Sequence, residues 1–98
     1  MAAQLNLHWT PIAIAHLHAA YDYVAEDSVA AAESLLDRIF TAAEAATRFP
    51  QIGRQGRVAG TRELVIAGTP FVVAYRPRRN QIDVLAVFHG ARRWPEEF

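Results

Sequence analysis

His89 closes an apolar run, Ile82 to His89, and Gly90, Arg92 and Arg93 follow it directly. An imidazole titrates near neutrality, so beside guanidinium groups it can move a proton next to a bound phosphate. A strand-end histidine bonded to backbone is the plainer alternative. Arg62, Arg76, Arg92 and Arg93 converge if a sheet brings its strand ends together. Such a cluster could hold a phosphodiester and stabilise charge in an RNA-cleaving transition state. It could equally anchor an acidic protein surface. Glu63 adjoins Arg62 and, on a strand, points to the opposite side. Arg78 and Arg79 sit in a hairpin turn, where solvated charge is expected.

Other chemistries find little footing. Without cysteine, neither a disulfide framework nor a thiolate metal site is possible. His16 and His18 are two apart on a helical stretch, point to different sides and do not chelate together. His8 follows a strand alternation and reads as ordinary. Gly53, Gly56 and Gly60 precede a strand and not a helix, so they make no phosphate-cradling loop. Ser28 and Ser34, the only serines, belong to the helical region, and no nucleophile triad is visible. No metal or other cofactor is expected.

These side chains must be positioned by a short list of elements. Gln4 to Trp9 alternates as a strand. Thr10-Pro11 reads as a helix start, with Thr as N-cap and Pro in the first turn, and the periodicity lasts to Ala25. Asp27 or Ser28 caps a second helix that runs to Arg48. So short a turn predicts an antiparallel helix hairpin. Phe49-Pro50 ends it, and glycines mark a loop from 50 to 60. Strands are predicted at Arg62 to Ile66, Phe71 to Arg76 and Ile82 to His89, joined by turns short enough for an antiparallel meander. The order is β-α-α-β-β-β, an α+β fold with a helical hairpin packed on an antiparallel sheet.

The 98 residues, 52% hydrophobic and 20% charged, suit a single domain, 1–98. No basic-then-apolar leader opens the chain and no run is long enough to span a membrane, so a cytoplasmic location is expected. The net charge of zero hides an asymmetry. Residues 1–50 carry six acids and two bases, residues 51–98 eight bases and four acids, and all ten bases are Arg. Arginine's planar donor fork suits phosphate, carboxylate and aromatic faces. The last two strands are also apolar on both sides. Phe71, Val73 and Tyr75 alternate with Val72 and Ala74, and Ile82, Val84, Ala86 and Phe88 alternate with Leu85 and Val87. Two helices cover one face of a sheet. The second, with Val72, Ala74, Leu85 and Val87, is expected to be covered by the chain's own tail (Trp94 and Phe98), by a second copy or by another protein. Trp94 is counted with these partner-binding residues.

The stretch GTRELVIAGTPFVVAYRPRRNQIDVLAVFHGARRWP, with WTPIA and RFPQIGR before it, resembles toxins of the RelE/ParE superfamily from Trp9 to Pro95. The most specific pieces are G-x-R-E at Gly60 to Glu63 and V-x-H-x-A-R-R-x-P at Val87 to Pro95. The resemblance implies a type II toxin–antitoxin toxin, with growth inhibition and plasmid stabilisation as its setting. It also implies a cognate antitoxin that wraps the toxin, and contact with operator DNA only through that antitoxin. RelE-like members cut mRNA in the ribosome, whereas ParE-like members inhibit DNA gyrase and are not known as nucleases. Nuclease members typically carry an Arg where this chain reads Pro70-Phe71-Val72, and a basic or phenolic residue near the C-terminus; here His89 has no Tyr after it. The resemblance is therefore closer to the ParE side, with DNA gyrase as target. The alternative is a metal-independent mRNA endonuclease with His89 as general acid, Glu63 as base, and Arg62, Arg76 and Arg92 as phosphate clamps.

Overall fold

The computed structural model describes residues 4–91. Strand β1 (Asn6–Trp9) leads into helices α1 (Pro11–Ala25) and α2 (Val29–Arg48). Strands β2 (Arg54–Gln55), β3 (Arg62–Val65), β4 (Phe71–Pro77) and β5 (Gln81–His89) follow. Both helices start where their caps dictate. Thr10 accepts a hydrogen bond from the Ala13 N–H at 3.2 Å, and Ser28 accepts from Ala31 at 3.0 Å, so Ser28 and not Asp27 is the second cap.

The five strands form one sheet in the order β1-β5-β4-β3-β2. The meander β3-β4-β5 is antiparallel, as its short turns require. β1 pairs with β5 in parallel, because the helix hairpin carries the chain between the two strands. β2 is the fifth strand, two residues of the 50–60 loop paired to Arg62 and Glu63.

The helix-facing core joins Ala13, Ala20, Leu35, Ile39 and Ala43 to Ile66, Val73, Val84 and Val87. Beside it Ala46, Tyr75 and Ile82 form a second buried group. The alternation predicted for β5 fails at one point. Ala74 pairs with Ala86 but Tyr75 pairs with Val84, so Leu85 is an extra residue in a β-bulge. A bulge resets which side chains face inward. Val84 and Val87 both face the helices, and Ala86 and Phe88 face away. Val87 therefore does not share a face with Val72 and Ala74, contrary to strict alternation.

The open apolar second face is also absent. Val72, Ala74, Ala86 and Phe88 pack as their own cluster and are at most 8% exposed; Leu85 is buried as well. Among the described residues, the Arg57 guanidinium lies 5.5 Å over the Phe88 ring. Gly90, whose N–H bonds the Pro70 carbonyl at 2.7 Å, closes against Val72. Val72, Ala74, Leu85 and Val87 thus offer no free docking surface, and Trp94 and Phe98 lie outside the described residues.

Candidate functional site

The sheet sorts the predicted site residues onto two sides. Phe71 packs on the helix-side core and pairs with His89, their ring centroids 6.1 Å apart. His89 therefore lies on the helix side, where it lines a cavity of about 200 Å³ with His16, Ala19, Tyr23 and Phe71. Its Nδ1 accepts the Ala91 N–H at 3.2 Å. Glu63 is in register with Ala74 and Ala86 on the opposite face. An acid and a base separated by the sheet cannot serve one reacting group, since each must reach its proton directly or through one water.

Glu63 is also fully engaged. One carboxylate oxygen accepts from Arg54 Nη2 at 3.0 Å and Nε at 3.3 Å. The other accepts the Arg57 N–H at 3.3 Å and lies 3.6 Å from Arg57 Nε. Its side chain is 2% exposed, while the two guanidinium groups reach solvent. A buried carboxylate held by two arginines acts as a brace that fixes the 54–57 loop across the second face.

Of the predicted arginine cluster, the two described members, Arg62 and Arg76, fall on opposite sides of the sheet. Arg62 pairs with Tyr75 on the helix side, and its Nη1 donates to the carbonyls of Gly53 at 2.7 Å and Gln51 at 3.3 Å. Arg76 pairs with Asp83 on the other side and reaches the Ala59 carbonyl at 3.3 Å. Arg92 and Arg93 lie outside the described residues.

A second polar cluster, around Asp83, was not anticipated. Flanked by inward-facing Ile82 and Val84, Asp83 points away from the helices. It bonds Arg78 Nε, Gln81 Nε2 at 2.5 Å and His8 Nδ1 at 3.3 Å. Burial pushes its carboxyl up, but the hydrogen bonds from Arg78, Gln81 and His8, with the Arg78 charge, more than offset that and hold it below its usual range. Arg78 is thus an ion-pair partner as well as a turn residue. A lone carboxylate inside an otherwise apolar strand was the available signal, because a buried charge needs partners.

On the helix side, His16 Nδ1 accepts the Val87 N–H at 3.2 Å. β1 ends at Trp9, opposite Val84, so this imidazole takes the place of the missing neighbouring strand. Burial lowers its pKa below the ordinary 6.5, which keeps the acceptor nitrogen unprotonated. Among the described residues, no group of three His, Asp or Glu is placed to hold a metal ion.

Tyr75 shows how the 50–60 loop is anchored. Its buried hydroxyl donates to the Pro50 carbonyl at 2.8 Å and accepts the Gly53 N–H at 2.9 Å. Gly53 leaves no room for a side chain: a Cβ there would stand 2.9 Å from the Tyr75 ring and from the Glu63 carbonyl.

Comparisons with known proteins agree with this architecture. Residues 7–94 match the family model of the ParE toxin of the type II toxin–antitoxin system parDE. Y4kP, a candidate toxin of Sinorhizobium fredii, is 37% identical over 91 residues, covering 93% of this chain and 94% of the relative. Toxin RelE2 of Caulobacter vibrioides is 34% identical over 84 residues, covering 86% of this chain and 93% of the relative. A solved chain from the chromosomal ParDE toxin–antitoxin system of P. aeruginosa superposes with a TM-score of 0.76 at 27% identity, over 88% of this chain and 96% of that one.

Proposed function

Because the chain belongs to the ParE family of type II toxin–antitoxin toxins, we propose that it inhibits growth by binding and blocking DNA gyrase, and that a cognate antitoxin holds it inactive in the cytoplasm. The observation that carries the non-enzymatic reading is the separation of His89 from Glu63 by the sheet, with Glu63 consumed by Arg54 and Arg57. A surface that works by occupying a target needs no such acid–base pair. Operator DNA is contacted only through the antitoxin. In a supercoiling assay with purified gyrase, the protein at micromolar concentration should block supercoiling, and added antitoxin should restore it. Supercoiling that proceeds unchanged would remove gyrase as the target.

The likeness to RelE2 supports a second reading, a ribosome-dependent mRNA endonuclease with His89 as acid. Primer extension on mRNA in stalled ribosomes separates the two. New cleavage that disappears in His89→Ala would favour the nuclease.

A further inference from the structure

With the second face buried, a docking surface among the described residues lies on side chains the fold leaves in solvent. Phe49 is 62% exposed and Ile52 is 51% exposed. They sit three residues apart at the end of α2, on the loop that Tyr75 secures. The backbone carrying them is pinned on every side. Ala45 accepts the Phe49 N–H, Phe49 accepts the Ile52 N–H, Tyr75 holds Pro50 and Gly53, and Arg62 holds the Gln51 and Gly53 carbonyls. A core tyrosine and a strand arginine thus fix a loop that presents two large apolar groups to water. Binding through a loop already held in shape orders little additional chain.

The cations nearest this knob are Arg48, the residue before Phe49, and Arg62, bonded to the Gln51 and Gly53 carbonyls. From Ala45 to Arg62 the sequence holds four arginines, Arg48, Arg54, Arg57 and Arg62, and no Asp or Glu. The next carboxylate, Glu63, is 2% exposed and binds Arg54 and Arg57 on the face turned away from the helices. The preceding one, Glu44, meets Arg48 only at 3.9 Å in solvent.

We infer that Phe49 and Ile52, flanked by Arg48 and Arg62, are the anchor by which the chain grips its target, a protein with an apolar pocket bordered by acidic side chains. An apolar anchor inside a charged rim is the usual division of labour at protein interfaces: the anchor supplies affinity and the rim supplies orientation and encounter rate. A nucleic acid fits less well. Ile52 has no ring on which a base could stack, and a chain of zero net charge lacks the broad cationic field that phosphate binding draws on.

The inference rests on the toxin reading, and its test keeps the two apart. The chain is induced in bacteria, and colony counts are compared for wild type, F49S/I52S and R48E, with melting midpoints and antitoxin capture measured on the purified proteins. The double variant should melt like wild type, still bind the antitoxin and lose growth inhibition by at least about a hundredfold. R48E, at an exposed position outside the knob's anchoring bonds, should lose about tenfold. A double variant that stays folded and fully toxic overturns the anchor while leaving the toxin reading intact. Unchanged toxicity in R48E overturns the acidic rim. Loss of antitoxin capture by the folded double variant also overturns the proposal, by assigning the knob to the antitoxin. So does weaker binding of a DNA duplex or poly-uridine RNA by that variant. A wild-type chain that leaves growth unimpaired overturns the toxin reading and the inference with it.

Discussion

Two carboxylates on the face turned away from the helices, Glu63 and Asp83, set the local electrostatics, and each is held by arginine. Glu63→Gln keeps the shape and removes the charge-assisted bonds. It should destabilise the fold by about 2 kcal/mol, a drop of roughly 8–16 °C in melting midpoint, read by calorimetry. At a temperature where the variant stays folded, growth inhibition should persist, because a brace and not a base has been altered. Acid should act through Asp83. Its folded pKa lies below the ordinary 3.8, so its contribution is present above that value and is lost as pH falls through the lower folded one. His16 works in a different window. Its folded pKa is depressed below 6.5, so the unfolded chain takes up a proton first and stability declines as pH falls from 6.5 toward the folded value. A His16→Leu variant should lose that decline in pH-dependent unfolding, and should be about 1 kcal/mol less stable at pH 8 for want of an acceptor for the Val87 N–H.

At the scale of elements, the helix starts and the anchored loop are the points to test. Ser28 caps α2 alone, so Ser28→Ala should cost about 1 kcal/mol. Thr10 caps α1 and also donates to the Val84 carbonyl at 2.9 Å, tying helix to strand, so Thr10→Ala should cost more, about 2 kcal/mol. Chemical denaturation of the two variants gives the comparison directly; equal losses would count against the helix–strand tie. Tyr75→Phe should cost about 1–3 kcal/mol, since the buried Gly53 N–H loses its acceptor. It should also raise amide exchange at Gly53 while leaving α1 protected.

For the whole molecule, the sheet is buried on both sides, and among the described residues the large exposed apolar groups lie on β1, the helices, the 49–58 loop and β3. A partner that binds the native chain must stabilise it by mass action, by about 2.7 kcal/mol at a hundredfold excess over Kd. The cognate antitoxin should therefore raise the melting midpoint in a concentration-dependent way; a midpoint that does not move would count against neutralisation by direct binding. Much of this architecture was legible in the chain itself. Thr10-Pro11, the apolar stripes of both helices, Phe49-Pro50 and the short β-turns act locally, through capping, periodicity and backbone geometry, and those forces are written in neighbouring residues. The parallel docking of β1, the bulge at Leu85 and the closure of the second face were decided only in three dimensions. A single inserted residue in β5 reverses which side chains point inward, and no local spacing announces it. For the same reason the sequence could nominate His89, Glu63, Arg62 and Arg76, and set Arg62 opposite Glu63, but not say which of them face the helices. That placement depends on which residues meet across strands far apart in the chain.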